Sequence, residues 1–354
     1  MEKIKKRDSN LELLRIISII LIIAHHYVLY GGLKDINFGF NTIITKFLIT
    51  GGKIGVNCFV LISGYFLINS KFKVEKLLKL ILEVFFYSII ITTILYTFNL
   101  VQINIIDIIK SIMPIVFGKY WFITAYVGMY ICFPFINNFI KNISKDKYKV
   151  FLIALSIMLI IIPTFTTANF IFSNFTWIVF MYMIGAYIRL YPNKYTECKG
   201  KALCISVILY CVIVIISVLF AFLGNNINIF AKASNYFAKV NSIFIVPCSI
   251  FLFIYFKNKK IEYNQFINNI AKCSFGIYCI HENNFIRNLI WKQLLKTDTY
   301  ANSNILIIHA ILSIFIVFTI CCIIDLLRIY IIENNFFKIK KFNRLFEKIN
   351  TFMN

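Results

Sequence analysis

The sequence predicts an all-α protein that is embedded in a membrane as a polytopic helical bundle. Of its 354 residues, 60% are hydrophobic and 15% are charged, whereas soluble domains contain about 45–50% apolar and about 25% charged residues. The mean hydropathy is +0.80, and the hydrophobic residues form long runs between short polar breaks. One water-soluble fold cannot hide so much apolar surface, so we expect a lipid bilayer to be the solvent.

Ten hydrophobic runs are predicted to be transmembrane helices. A helix needs about 20 mainly apolar residues to cross a bilayer, and only helices or closed barrels satisfy the backbone polar groups in lipid. The runs lack the alternation of barrel strands, which leaves the helical alternative. The predicted spans are 11–30, 52–68, 77–98, 119–138, 150–166, 173–190, 202–223, 237–256, 267–285 and 304–327.

These spans form a single predicted domain over residues 1–354. Ten residues precede the bundle, the bundle occupies residues 11–327, and a tail follows over residues 328–354. The segment 99–118 is only partly apolar, and we expect it to be a helix at the membrane surface. The basic and aromatic tail from Lys338 to Phe352 is expected to be a helix against anionic lipid headgroups.

The distribution of Lys and Arg predicts that both termini are cytoplasmic. The chain carries 37 Lys and Arg against 15 Asp and Glu, a net charge of +22. Of the basic residues, 25 fall in the two termini and in alternate connections, and cytoplasmic loops of membrane proteins are enriched in Lys and Arg. We therefore expect a multi-pass protein of the cell membrane. Because the basic residues are divided among short loops, nucleic-acid binding is not predicted.

The first predicted helix carries a stripe of ionisable side chains. At 100° per residue, Glu12, Arg15, His25 and His26 fall on one face, and charged groups inside a membrane are costly enough to need a reason. Glu12 and Arg15 lie near the helix start, where they can pair or reach the surface. His25 lies about 21 Å from that start, too deep for such anchoring.

All four histidines are predicted to lie in one layer in the outer half of the membrane. By residue counts, His25, His26, His281 and His309 fall at similar depth, and Glu282 follows directly on one of them. A neutral imidazole in a low-dielectric pocket can act as a general base. It could equally relay protons in a transporter or bind a metal, so the layer alone leaves three functions open.

Two further patterns have simple explanations. The run Gly51-Gly52-Lys53-Ile54-Gly55 lacks the flanking strand and the spacing of a phosphate loop, so close packing between helices is the preferred interpretation. The ten cysteines occur mostly inside apolar runs without metal-ligand spacing. We therefore predict neither a disulfide framework nor a bound metal.

Four motifs, in order along the chain, resemble those of the membrane acyltransferase-3 family. Asn10-Leu11-Glu12-Leu13-Leu14-Arg15, with His25 ten residues later, resembles the family's opening signature. Residues 55–67, which end in Ser-Gly-Tyr-Phe-Leu, are similar to its glycine-led second helix. Lys119-Tyr120-Trp121-Phe122 resembles its Trp-aromatic element, and residues 274–281 resemble its late Ser-x-Gly-Ile-Tyr-x-x-His segment. The resemblance covers essentially the whole chain.

The resemblance implies a membrane O-acyltransferase. Such an enzyme moves an acetyl or other short acyl group from cytoplasmic acetyl-CoA to a hydroxyl of a cell-envelope or exopolysaccharide sugar. A glycan or a lipid-linked sugar would be the acceptor, other glycan-synthesis proteins are candidate partners, and His25 would take the base role. The candidate catalytic residues are His25, His26, His281 and Glu282; the candidate acyl-CoA residues are Arg15, Lys76 and Lys79; the candidate acceptor residues are Asn57, Trp121 and Tyr278.

Two alternatives remain open beside this resemblance. The family often has Arg-x-x-Arg where this chain has Lys76-Leu77-Leu78-Lys79, which keeps the charge but loses the bidentate fork, and solvated lysines of the cytoplasmic side would explain the pair equally well. A transporter of polysaccharides or small molecules would use the same histidines for coupling, and it would move substrate without consuming acetyl-CoA. A sensor or anchoring module is least favoured, because no soluble effector domain is predicted.

Overall fold

The computed structural model describes residues 8–34, 36–166, 168, 171–198, 200–333 and 343–354, and within these ranges the regular elements are helices without any strand. The helices are α1 Ser9–Tyr30, α2 Phe40–Leu67, α3 Val74–Thr97, α4 Ile105–Ile112, α5 Trp121–Lys141, α6 Lys145–Ser156, α7 Ile162–Thr166, α8 Asn174–Leu190, α9 Gly200–Leu223, α10 Asn228–Ala233, α11 Ile245–Asn258, α12 Gln265–Lys272, α13 Ser274–His281, α14 Asn284–Asn288, α15 Leu306–Arg328 and α16 Asn343–Met353. π-helical turns at Ile157–Ile161, Leu289–Leu294 and Ile329–Glu333 join or extend them.

In the described part of the chain, seven helical segments are long and apolar enough to cross a membrane. They are α1, α2, α3, α5, the continuous segment Lys145–Thr166, α9 and the segment Leu306–Ile332. The predicted helical membrane bundle is therefore confirmed, whereas the predicted count of ten crossings is not.

The three other predicted spans contain shorter helices. In the span 173–190, α8 has 17 residues. In the span 237–256, α11 has 14 residues and begins two residues before Pro247, because proline is tolerated in the first turn of a helix but not in its interior. The span 267–285 is divided at Cys273 into α12 and α13, of eight residues each.

Glycines let α1 and α2 pack closely around His25. A β-carbon on Gly52 would collide with the His25 side chain, and one on Gly55 would lie 2.5 Å from the carbonyl oxygen of Ser18. Such close backbone approach requires small residues at the interface. The structure thus confirms that the segment Gly51–Gly55 serves helix packing.

The segment 99–118 contains the short helix α4. Its first turn is capped in both directions, because the Asn104 side chain accepts from the Asp107 N–H and the Asp107 carboxylate accepts from the Asn104 N–H. Ile105 and Ile109 are exposed on one side of this helix. A short helix with an exposed apolar side is typical of a membrane surface, and its position relative to a bilayer stays a prediction.

The C-terminal helix α16 packs on the first turn of α3. The Asn350 side chain accepts from the Val74 N–H at 2.8 Å and donates to the Glu75 carboxylate at 3.1 Å. The Asn354 side chain accepts from the Phe72 N–H at 2.6 Å and donates to the Phe72 carbonyl at 3.1 Å. The end of the bundle where α1 and α3 begin therefore also holds α16, and we call it the terminal face.

The predicted tail helix is only partly within the described residues. Residues 338–342 lie outside them, whereas α16 accounts for the rest. Ile349 and Met353 pack against the core of the bundle, and Phe352 is exposed. Contact of the tail with lipid headgroups stays a prediction.

Candidate active site

Three of the four histidines meet between α1 and α13. His26 Nδ1 lies 3.0 Å from His281 Nε2, and the ring centroids of His25 and His26 are 5.7 Å apart. All three side chains are buried. His309 lies apart from them on α15, where its ring is 2.8 Å from the Tyr27 hydroxyl. The predicted layer of four therefore consists of a cluster of three, which we call the histidine cluster, and one outlying residue.

The hydrogen bonds fix which ring nitrogens of the histidine cluster carry protons. His281 Nδ1 lies 2.5 Å from the carbonyl oxygen of Ile277, and a carbonyl can only accept, so this nitrogen donates. His281 Nε2 is then an acceptor, and His26 Nδ1 must donate to it. In neutral His26 the other nitrogen, Nε2, keeps its lone pair and is the atom that can take up a proton.

Glu282 joins the histidine cluster through His26. Its Oε2 lies 3.2 Å from His26 Nδ1, so the carboxylate does reach a histidine. Its Oε1 accepts a hydrogen bond from the Tyr30 hydroxyl at 3.0 Å and lies 3.4 Å from an Arg287 nitrogen. A carboxylate beside an imidazole N–H orients the ring and stabilises the imidazolium that forms when the ring gains a proton.

His25 has a different environment from His26. Its Nδ1 donates to the Ile49 carbonyl at 2.5 Å, and its ring lies against Gly52. Its Nε2 therefore also keeps a lone pair. Among the described residues, however, no carboxylate lies within ion-pair distance of a His25 ring nitrogen, whereas Glu282 lies 3.2 Å from His26 Nδ1.

The arrangement of the histidine cluster suits acid–base chemistry. No group of three or more His, Cys, Asp or Glu side chains in the described ranges is arranged to hold a metal ion. The Nε2 atoms of His25 and His26 keep their lone pairs, which is what a proton acceptor needs.

A cavity of about 490 Å³ leads from the terminal face toward the histidine cluster, and we call it the terminal cavity. Arg15, Lys76 and Lys79 all line it, so the structure brings together the three residues that were predicted to bind acyl-CoA. Lys272 and Arg328 line it as well. So many cations around one cavity suit a ligand with several negative charges.

Glu83, the acidic residue of this lining, belongs to an ion network with α15. Arg328 lies 3.0 Å from Glu83 and 2.7 Å from Asp325, and Asp325 accepts from the Tyr87 hydroxyl at 2.7 Å. This network was not predicted from the sequence. Its signal was the pair Asp325 and Arg328, two opposite charges three residues apart at the end of a long apolar run.

The inner end of the terminal cavity reaches the histidine cluster through Tyr278. Ile22, one helical turn before His26, lines the cavity together with Phe122 and Tyr278. The Tyr278 ring centroid is 6.0 Å from that of His281 and 5.8 Å from that of Phe122, with both partners set at steep angles to it. Tyr278 therefore contacts both the cavity and the cluster.

A second pocket, of about 420 Å³, opens at the other end of the bundle, and we call it the opposite pocket. It is lined by Leu29, Tyr30, Gly32, Asn284, Arg287, Asn288 and Lys292. Two of these residues, Tyr30 and Arg287, contact Glu282. Sequence reasoning missed both. Tyr30 lies on α1, far along the chain from Glu282, and Arg287 follows the helix break at Asn283, across which the spacing rules for helical pairs do not extend.

Asn57 and Trp121 lie outside the linings of both pockets. Asn57 is fully buried, accepts from the Trp177 indole at 3.0 Å and donates to the Val240 carbonyl at 3.1 Å. Both ends of its amide are thus paired, and they connect α2 to α8 and to the segment before α11. Trp121 is half-buried beside Phe122. The geometry therefore supports a packing role for Asn57 and gives no support to the predicted contact of either residue with an acceptor.

Comparison with known proteins gives a result at the level of family. A family model described as an acyltransferase domain matches residues 8–326, nearly the whole chain. The matched region includes the histidine cluster, Glu282 and both pockets except for Arg328 and Ile329. No curated protein and no solved structure matches the chain.

Proposed function

Because the chain belongs to the acyltransferase-3 family, it is a membrane acyltransferase, and we propose that it transfers an acetyl or other short acyl group from acyl-CoA to a hydroxyl group of a cell-envelope or exopolysaccharide sugar. The observation that carries this proposal is the arrangement of two pockets around one acid–base pair. The terminal cavity and the opposite pocket approach the histidine cluster from different ends of the bundle. His26 and Glu282 lie between them.

Acyl-CoA fits the terminal cavity by charge and by shape. Its phosphates carry several negative charges, and Arg15, Lys76 and Lys79 supply cations near the terminal face. The narrow pantetheine arm would extend along the cavity toward Tyr278 and bring the thioester close to the histidine cluster. On α1 the lining runs from Arg15 to Ile22, a rise of about 10 Å that ends one helical turn before His26. The cytoplasm is the expected source of this donor.

His26 is the proposed general base. Its Nδ1–H donates to His281, and a Glu282 carboxylate oxygen lies 3.2 Å from the same nitrogen. The His26 Nε2 can therefore accept a proton while the carboxylate stabilises the resulting imidazolium. The family resemblance implies this role for His25, which also has an available Nε2. The carboxylate beside His26 is the reason to prefer it, and His25 becomes the second candidate.

The proposed transfer proceeds by direct attack of the acceptor. The sugar hydroxyl gives its proton to His26 Nε2 while its oxygen bonds to the thioester carbonyl carbon, and the carbonyl π electrons move to the carbonyl oxygen. The tetrahedral intermediate then collapses, and the carbon–sulfur bond breaks. The CoA thiolate leaves and takes the proton from the His26 imidazolium, which restores the neutral ring.

A sugar acceptor suits the opposite pocket. Tyr30, Asn284 and Asn288 offer hydroxyl and amide groups there, which are the donors and acceptors that sugar hydroxyls need. Arg287 and Lys292 add positive charge, which would also suit an acceptor that carries a phosphate or a carboxylate. A free glycan and a lipid-linked sugar both satisfy this chemistry.

The experiment that tests the proposal compares His26→Ala with wild-type protein in lipid vesicles supplied with acetyl-CoA and sugar acceptors. Loss of the general base should lower kcat by about 10²–10⁴-fold. His309→Ala is the matched control, because it removes a histidine outside the cluster and should leave kcat near the wild-type value. Mass spectrometry of surface glycans from cells with and without the gene should find an ester that depends on the protein.

Three outcomes would contradict parts of this proposal. A His26→Ala variant with wild-type kcat would exclude His26 as the base, and loss of activity in His25→Ala alone would return the role to His25. Movement of a substrate across the vesicle membrane without consumption of acetyl-CoA would contradict the enzyme and favour a transporter.

A further inference from the structure

Two hydroxyl groups at the inner end of the terminal cavity are buried without a hydrogen-bond partner. They belong to Ser274 and Tyr278, one turn apart on α13, whose side chains are 4% and 5% exposed. Neither oxygen has a partner among the described residues, although both residues line the terminal cavity. Buried polar groups in proteins are nearly always paired. Two unpaired hydroxyls at one cavity therefore indicate a ligand that pairs with them.

The other hydroxyls of the terminal cavity are already paired. Ser63 donates to the Phe59 carbonyl at 2.9 Å, and its oxygen lies 3.1 Å from the Tyr126 hydroxyl. Among the hydroxyls of the lining, the unpaired ones are thus confined to α13, the helix that also carries His281. The two unpaired hydroxyls therefore lie on the side of the cavity that leads to His281, and they are not distributed around the cavity.

The Tyr278 ring is held rigidly where the cavity meets the histidine cluster. Its centroid is 5.8 Å from that of Phe122, 6.4 Å from that of Tyr120 and 6.0 Å from that of His281. Aromatic neighbours at these distances and angles pack well and fix a ring in place. A hydroxyl carried on such a ring is preorganised, which is what stabilisation of a transition state requires.

We propose that the Tyr278 hydroxyl is a catalytic group that donates a hydrogen bond to the carbonyl oxygen of the bound thioester, and that the Ser274 hydroxyl binds the pantetheine arm one turn below it. This inference rests on the proposed function. As the acceptor oxygen attacks, the carbonyl oxygen gains negative charge and the hydrogen bond from Tyr278 becomes stronger. When the carbon–sulfur bond breaks, the charge returns to the carbonyl, and Tyr278 keeps its proton throughout.

The two hydroxyls should have different kinetic effects. Tyr278 would act mainly on the oxyanion, so Tyr278→Phe should lower kcat by about 10²–10³-fold and change KM for acetyl-CoA little. Ser274 would contact the donor equally before and during the reaction. Ser274→Ala should therefore raise KM for acetyl-CoA and leave kcat largely unchanged. The measurement is steady-state kinetics of the full chain in lipid vesicles.

Tyr148→Phe is the matched control. The Tyr148 hydroxyl is equally buried, but it donates to the Met183 carbonyl at 2.6 Å, far along the chain from the site. Its removal should lower the melting temperature and leave kcat unchanged. Tyr278→Phe should behave in the opposite way, with a melting temperature that is maintained or raised, because it removes a buried hydroxyl that has no partner among the described residues.

A spectroscopic measurement tests the same hydrogen bond without turnover. The thioester carbonyl of ¹³C-labelled acetyl-CoA should absorb at lower frequency when bound to wild-type protein than when bound to Tyr278→Phe. If wild-type protein were active and Tyr278→Phe had the same kcat, or if the carbonyl frequency were the same in the two proteins, this inference would be overturned. The proposed function would then still stand. A wild-type protein that neither binds nor consumes acetyl-CoA would overturn the proposed function and the inference with it.

Discussion

At the scale of single residues, the direction of one chain of hydrogen bonds decides which nitrogen can accept a proton. The Ile277 carbonyl forces His281 to donate from Nδ1, and His281 in turn forces His26 to donate from its own Nδ1. Glu282 lies beside that same N–H and can stabilise the charge that His26 gains. The roles of the three side chains follow from these contacts. The contacts themselves cannot be derived from the spacing of the residues along the chain.

The role of Glu282 is testable by replacing its charge while keeping its shape. Glu282→Gln keeps the size of the side chain but removes the negative charge beside His26, so the imidazolium should form less readily. We expect kcat to fall by about 10²-fold or more at an unchanged KM for acetyl-CoA. The measurement is steady-state kinetics in vesicles, with the melting temperature as a check on folding.

Glu197→Gln provides the control for this charge change. Glu197 is exposed and pairs with Lys257 at 2.7 Å, away from both pockets. Exposed ion pairs contribute little to stability, so this variant should retain wild-type kinetics. If Glu282→Gln also retained the wild-type kcat, the carboxylate would have no part in the proton transfer.

At the scale of helices, the terminal cavity depends on how α3 begins. Lys76 and Lys79 line the cavity from the first turns of α3. The backbone just before them is fixed by side chains of α16, because Asn350 and Asn354 bond to Val74 and Phe72. Helix α16 is therefore part of the support of the donor site, although it lies far from it in sequence.

The double variant Asn350→Ala and Asn354→Ala tests this support. Without these contacts the start of α3 should move more freely, and its lysines should bind the donor less tightly. Hydrogen bonds of this kind contribute about 1 kcal/mol each, so KM for acetyl-CoA should rise by about fivefold or more with kcat little changed. Asn142→Ala, which alters an exposed asparagine whose side chain donates to Asn138, should change neither constant. Equal KM values in the double variant and the wild type would show that α16 does not support the site.

The sequence predicted helices better than it predicted their lengths. Long apolar runs such as 202–223 correspond closely to α9, because hydrophobicity alone determines such a segment. The span 267–285 was predicted as one helix, whereas the chain breaks it at Cys273 and again after His281. Those breaks depend on packing between distant helices, which hydrophobicity does not encode.

The candidate site was predictable where it depends on one helix and not where it depends on several. Arg15 and the histidines were found because ionisable residues in an apolar helix stand out on their own. The contacts of Arg287 with Glu282 and the paired amide of Asn57 required the assembled bundle. Counting residues gives the position of a side chain along its helix, whereas its contacts with other side chains depend on how the helices pack against one another.

At the scale of the whole molecule, two pockets with different chemistry approach the site from opposite ends of the bundle. The terminal cavity is rich in cations and ends at Tyr278, and the opposite pocket offers the hydroxyl and amide groups of Tyr30, Asn284 and Asn288. The histidine cluster and Glu282 lie between them. In a membrane, this arrangement predicts that the acyl donor and the acceptor are supplied from opposite sides.

The most direct test of this account is the sidedness of acetyl transfer in sealed vesicles. The protein would be reconstituted in known orientation, with acetyl-CoA, which does not cross the membrane, supplied on one side and a sugar acceptor on the other. The account predicts that acetyl-CoA is consumed only when it is on the side of the terminal face, and that the acetyl group is recovered on the acceptor at the other side. Consumption from the opposite side alone, or equally from both sides, would contradict it.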